Sequence, residues 1–157
     1  MSREYPAYPR VGVGAVVFHQ GRVLLVRRGG SPSMGKWTLP GGLVELGETA
    51  AEAVCRELRE ECAIDIDLVD VAGVFDRVVR DADGRIRYHY VLIDYLATAV
   101  SDAICAGDDA AEAQWVDIDH VAQLDVTDGL MPMLARALAL AERHAQRRTD
   151  APGGPGS

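Results

Sequence analysis

The sequence predicts an α/β fold, a mixed sheet with helices packed on its faces. Three observations predict it. Two β-branched runs open the chain, an amphipathic helical segment follows a Gly- and Pro-rich loop, and two long strand-like segments precede a second helical one. The order of elements is therefore strands, helix, strands, strand, helix.

From Val11, VGVGAVVFHQGRVLLVRR gives strands near residues 11–18 and 22–28, broken at His19-Gln20-Gly21-Arg22 in a hairpin-like pattern. GGSPSMGKWTLPGG is too rich in Gly, Pro and Ser for regular structure, apart from a short extended piece at Trp37-Thr38-Leu39. A helix then opens at Glu48-Thr49: Thr49 can cap it, Glu52 completes a capping box, and good to fair helix formers continue to Cys62. At 100° per residue, Ala51, Val54, Leu58 and Cys62 form an apolar stripe, with Glu57, Glu60 and Glu61 in an acidic stripe beside it.

Beyond Ile64, IDLVDVAGVFDRVVRD and RIRYHYVLIDYLATAV are strand-like and joined by Asp81-Ala82-Asp83-Gly84, whose Asp-Gly ending is a hairpin signal. SDAICAGDDAAEAQ reads as an acidic loop and Trp115-Val116 as a short strand. Leu130 to Gln146 reads as a second helix, with Met131, Leu134, Leu138 and Ala141 on one face and Pro132 in its first turn. Residues 1–147 are expected to form one domain, and 148–157 a flexible tail with too little apolar content to order itself.

Composition narrows the function. A chain of 157 residues, 48% hydrophobic, suits one domain with a sizeable core. No apolar run reaches the roughly 20 residues of a membrane span, and MSREYPAYPR lacks the apolar region of a signal peptide, so a cytoplasmic protein without membrane contact is expected. Cys55, Cys62 and Cys105 include no Cys-x-x-Cys pair and read as small core residues. A net charge of -8 argues against binding nucleic acid; a polyanionic small substrate would need cations as mediators.

Glu57, Glu60 and Glu61 repel one another at helical spacing. A solvated acidic face is the commonest explanation of such a cluster. A partner-binding surface and a hard divalent cation held by oxygen ligands are the others, and Mg²⁺ suits the last because it takes carboxylate oxygens while bridging to phosphates.

The surrounding residues favour the cation. Gly42, five residues, Glu48, seven residues, then Arg56-Glu57-Leu58-Arg59-Glu60-Glu61-Cys62-Ala63-Ile64 resembles the 23-residue signature of the Nudix hydrolases, G-x5-E-x7-R-E-U-x-E-E-x-G-U with U a bulky aliphatic residue. One fixed position departs: Ala63 stands where the family has Gly, which predicts a different ending for the helix. Gly35-Lys36-Trp37-Thr38-Leu39-Pro40-Gly41-Gly42 and the strand order extend the resemblance over most of residues 10–145.

The resemblance implies an α/β/α sandwich with a mixed central sheet. It also implies hydrolysis of a nucleoside diphosphate linked to a moiety X, by water attack on phosphorus with Mg²⁺ or Mn²⁺. Position by position, Glu57, Glu60 and Glu61 would be metal ligands, Glu57 also a base, and the Gly41 carbonyl a further ligand. Glu48 would support the metal, Arg56 would orient a neighbouring glutamate, and Gly42 would let its loop pass close to the site. Glu112 would be a catalytic base or extra ligand, in competition with Asp108, Asp109 and a plain solvated role.

ADP-ribose, another nucleotide sugar and (d)NTPs are the candidate substrates. A proline frequent in ADP-ribose enzymes is replaced by Arg80. Arg27 or Arg28, at the end of the second strand, would contact phosphate or simply be solvated. Trp37 reads as packing material or a stacking platform, and Tyr88 and Tyr90 share a strand face opposite His89, which reads as buried. A nucleotide-sensing domain without hydrolysis is the alternative function, and a homodimer through the long second hairpin or the N-terminal segment is an assembly the resemblance allows.

Overall fold

A computed structural model describes residues 3–30, 33–104 and 110–150. Cys105, Asp108 and Asp109 lie outside the described residues, as does the end of the tail. The strands are β1 (Arg10–His19), β2 (Arg22–Arg28), β3 (Trp37–Thr38), β4 (Gly41–Leu43), β5 (Ile66–Arg80), β6 (Ile86–Ala99) and β7 (Ala110–Asp117). Two α-helices, α1 (Ala50–Cys62) and α2 (Leu130–Asp150), and a 3₁₀ helix at Ile118–Gln123 complete the described elements.

The sheet is mixed, ordered β3-β2-β1-β6-β5, with β1 parallel to β6 and its other pairings antiparallel. Gln20 and Gly21 both adopt positive φ between β1 and β2, the type I′ geometry whose twist suits a two-residue hairpin. β1 and β2 pair only beside that turn, at Phe18↔Val23 and His19↔Arg22. They then part. β4 takes over the freed edge of β1 from Gly12 to Gly14, while β3 takes Val26 and Arg27 of β2.

Alternation along β1 and β2 separates two cores. Val13, Ala15, Val17, Leu24 and Val26 meet Ala53, Val54, Leu58 and Cys62 of α1. Val16, Val23 and Leu25, with Leu96 of β6, meet Leu130, Met133, Leu134 and Ala137 of α2. The result is the α/β/α sandwich, with each helix burying one apolar stripe at about 1.5–3 kcal/mol per large side chain.

α1 begins as its sequence requires: Thr49 Oγ1 accepts from the Glu52 N–H at 3.1 Å and donates to Glu52 Oε1 at 2.9 Å. Ala53 rather than Ala51 joins its buried face. Its end corrects an expectation. Ala63 takes the left-handed conformation (φ 54, ψ 38) that Gly would take, and its N–H bonds the Arg59 carbonyl at 3.0 Å. Buried Ile64, whose N–H points back to the Leu58 carbonyl, holds the turn in place despite the Cβ. Ala63→Gly is therefore expected to stabilise the fold by about 1 kcal/mol, seen as a melting temperature higher by roughly 2–4 °C. An unchanged or lower value would show that the Cβ costs nothing here.

Three further expectations need correction. β7 is a full strand pairing with β2 from Arg22 to Arg28, so Glu112 lies on a strand and not in a loop. The buried face of α2 is turned: Met133 is 4% exposed and Met131 39%. α2 also continues to Asp150, so Arg148, Thr149 and Asp150 belong to the helix and not to a tail. Cys62 is buried and Cys55 half-buried against the α1 core, as small core residues should be.

Candidate active site

The parting of β1 and β2 and the insertion of β3–β4 leave a cleft of about 920 Å³. One wall is α1, presenting Arg56, Glu57, Glu60 and Glu61; Gly41 and Gly42 of β4 run beside it. Arg27 and Arg28 at the end of β2 and Arg77 of β5 contribute positive charge to the same cleft. Tyr90, Leu92 and Asp94 of β6 line it too, with residues 127–130 and Met133 at the start of α2.

Arg56 organises the acidic helix. Its Nε and Nη2 clasp Glu48 Oε2 and Oε1 at 2.6 and 2.9 Å, and Nη2 also donates to the Leu43 carbonyl at 3.1 Å. Nη1 reaches Glu57 Oε1 at 2.9 Å and Glu60 Oε2 at 3.1 Å. A planar, five-donor guanidinium can hold this many acceptors at once; a lysine could not. This arginine offsets the repulsion among the glutamates. Its hydrogen bonds hold Glu48 down to a pKa of about 2, and Glu48 is spent on anchoring Arg56 instead of lining the cleft.

Glu57 is the most enclosed of the stripe. Its carboxyl lies against Gly42, where any Cβ would collide with it. Burial raises its pKa, against the lowering pull of Arg56, and Glu60 adds to the rise. Glu61 Oε2 accepts from the Gly41 N–H at 3.2 Å, which ties the last turn of α1 to β4.

Among the described residues, no three His, Cys, Asp or Glu side chains converge as a ready-made metal cage. What fits a hard dication is the donor chemistry: several carboxylates, one of them desolvated, beside a backbone carbonyl strand and with no sulfur or imidazole among them.

The other sequence candidates divide. Arg28 is half-buried, and its pKa is lowered first by that burial and then by Arg77 and Arg3, so three guanidiniums share this end of the cleft. Arg27 is bound to Glu112, Nη2 to Oε1 at 2.7 Å across the β2–β7 ladder. Glu112 is thus occupied with neutralising Arg27 and is absent from the cleft lining. Trp37 packs in the α2 core, which favours packing over stacking. Tyr88 and Tyr90 are both buried on one face and stack at 6.2 Å, while His89 is only half-buried.

Sequence reasoning missed Arg77, Asp94, Gly14 and the residues 127–130. For Asp94 there was a signal: a lone acidic residue in the apolar alternation of YVLIDYLA, at even spacing from Tyr90.

Comparison with known proteins agrees with this architecture. The NUDIX domain family model matches residues 8–137. An ADP-ribose pyrophosphatase of Methanocaldococcus jannaschii is 34% identical over 117 residues, 74% of this chain and 67% of that one. The crystal structure of a MutT NUDIX hydrolase from Burkholderia pseudomallei superposes with a TM-score of 0.69 at 32% identity, covering 82% of this chain and 98% of that one. The NUDIX domain of Shewanella oneidensis NrtR, solved in complex with ADP ribose, superposes with a TM-score of 0.70 at 25% identity, covering 85% and 89% respectively.

Proposed function

This chain belongs to the Nudix hydrolase family, and from that premise we propose that it is a metal-dependent pyrophosphohydrolase cleaving the diphosphate of a nucleoside diphosphate linked to a moiety X. The carrying observation is one cleft lined both by an acidic helix and by Arg27, Arg28 and Arg77, with Arg28 close enough to Glu61 to feel its charge. An anionic diphosphate in that cleft would need a cation against the glutamates and would find guanidiniums to bind its phosphate oxygens. The names of the pyrophosphatase relative and of the ADP-ribose-bound domain favour ADP-ribose as substrate, with other nucleotide sugars and (d)NTPs of the same chemistry.

Glu57, Glu60, Glu61 and the Gly41 carbonyl would hold Mg²⁺, or Mn²⁺ in its place. The bound ion would supply neutralisation of the diphosphate charge and a lowered pKa for water. Glu57 takes the proton of the attacking water, a role suited to a carboxylate whose burial raises its basicity. The water oxygen forms a new P–O bond, the bridging P–O bond breaks, and its electron pair leaves with the departing phosphate. Arg56 keeps Glu57 and Glu60 in place, and Glu48 keeps Arg56 in place. Arg28 and Arg77 bind phosphate oxygens. The substrate is a small molecule, and the proposed setting is the cytoplasm. Among the described residues no helix is long and apolar enough to cross a membrane. A homodimer is proposed through β5, an edge strand that exposes Val71, Val74 and Val78.

Incubation with ADP-ribose, other nucleotide sugars and (d)NTPs, with Mg²⁺ or Mn²⁺ and with chelator, tests the reading by chromatography of products. It predicts NMP plus phosphorylated X, or NMP plus pyrophosphate from a triphosphate, and none with chelator. A sensing domain is the second reading, in keeping with a similar NUDIX domain solved with ADP ribose bound to it. It predicts nucleotide binding with no products in any arm.

A further inference from the structure

The wall of the cleft nearest α2 contains a group that the hydrolytic chemistry leaves unused. Asp94 sits in the middle of β6 and is 6% exposed. Among the described residues it has no hydrogen-bond or ion-pair partner, whereas Thr127, the other buried polar residue, bonds Thr38 at 2.9 Å. Burial alone pushes its carboxyl up to about 6. An unpaired carboxyl of this kind works against folding, and a chain that needed only the fold would do better with an apolar residue.

Its surroundings are shaped around it. The sheet register sets Gly14 of β1 and Gly73 of β5 on either side of Asp94, and Gly12 and Phe75 on either side of Leu92. A Cβ on Gly14 would lie 2.5 Å from Asp94 Oδ1, and one on Gly73 would lie 2.9 Å from Met133 Cε. At the level of Asp94 the room left by Gly14 is taken by the Asp94 carboxyl itself, and the room left by Gly73 by Met133 and by Arg136, whose Cζ lies 3.4 Å from that Cβ position. Leu92, Phe75 and Met133 supply apolar contacts, all lining the same cleft.

Apolar walls around one unpaired carboxyl suit a planar heterocycle with N–H groups on its edge. A sugar could donate one hydroxyl to Asp94, but its other hydroxyls would face Leu92, Phe75 and Met133. Nor, among the described residues, does Asp94 join a set of three ligating side chains that would hold a metal of its own.

We propose that this slot receives the nucleobase of the substrate and that Asp94 reads the base edge by accepting hydrogen bonds from its N–H donors. Guanine, with a ring N–H beside an exocyclic amine, offers two such donors to one carboxylate; adenine offers its amine, and the uracil edge sets carbonyls on both sides of a single N–H. The inference rests on the reading of the substrate as a nucleotide.

The test uses the full chain with GMP, AMP, UMP and ribose 5-phosphate, titrated calorimetrically in Mg²⁺ buffer against wild type, Asp94→Leu and Asp94→Asn. Wild type should bind GMP ~10- to 100-fold more tightly than UMP, the worth of hydrogen bonds to a charged group. Asp94→Leu should lose that preference, keep its affinity for ribose 5-phosphate, and melt above wild type. Asp94→Asn, which presents a donor as well as an acceptor, should shift preference toward UMP.

Unchanged GMP and UMP affinities in Asp94→Leu would overturn the proposal, and so would an equal loss for ribose 5-phosphate. If Asp94→Leu fails to fold, the preference shift in Asp94→Asn decides. Base-selective binding without hydrolysis of any nucleotide would remove the enzymatic reading and leave the slot standing. Hydrolysis with base preference independent of Asp94 would do the reverse.

Discussion

Glu57→Gln should lower kcat/KM by ~10²–10⁴, the range expected when a positioned base and a metal ligand are lost together. Glutamine keeps the size of the side chain and an oxygen for Arg56 Nη1, so the bond now 2.9 Å long has an acceptor to use. It removes a charge that burial already disfavours, so the fold should hold. Glu61→Gln should act in the same direction while keeping an oxygen for the Gly41 N–H. A second readout separates loss of metal from loss of base. Mn²⁺ at ~100 times its Kd should stabilise wild type by about 2.7 kcal/mol, and that gain should shrink in both variants. Near-normal turnover and an undiminished metal effect in both would remove the acidic stripe from the chemistry.

The second large effect concerns stability. The carboxyl of Asp94 titrates at about 6 in the folded protein, against about 3.9 in an unfolded chain. Between those values the folded state holds a proton that the unfolded state has released, so stability falls as pH rises from about 4 to 6. Below pH 4 the cost is absent, and above 6 it is complete, about 3 kcal/mol for a shift of roughly two units. Asp94→Asn should therefore be more stable than wild type by about 2–3 kcal/mol at pH 7.5 and nearly equal to it at pH 4, in urea unfolding at both. The neighbouring groups simplify the comparison: Gly14, Gly73 and Met133 do not titrate, and Arg136, which lies beside Gly73, stays charged over this range in both proteins. Parallel stability curves would show that Asp94 is paired in solution.

These two residues also mark how far the sequence can be read. Glu57 stands in a helix with a recognisable cap, a 3.6-residue period and a signature, so its place on the acidic stripe is legible from the residues alone. The same local rules locate β1, β2, β5 and β6, where β-branched alternation is strong and the turns carry Gly. They fail where pairing, not propensity, decides the conformation. Residues 112–114, Glu-Ala-Gln, are weak strand formers and are extended because they lie along the full edge of β2. Gly41–Leu43 is a strand only because the parting of β1 and β2 leaves an edge for it to fill. Ala63 misleads in the opposite way: the hydrogen bonds that close the helix outweigh the Cβ penalty. Asp94 escapes such rules because its meaning depends on two glycines from other strands, one of them distant in sequence.

The parallel pairing of β1 with β6 also governs how the molecule comes together. The β1–β2 and β5–β6 hairpins join near neighbours, whereas residue 10 opposite residue 90 closes a loop of about 80 residues. Contacts of such long range form slowly, and here they bring the glycines of one strand beside the carboxylate of the other. A nascent chain halted before β6 would already carry the glutamate helix yet would have nowhere to seat a base, so selectivity is acquired only when synthesis has passed the middle of the chain.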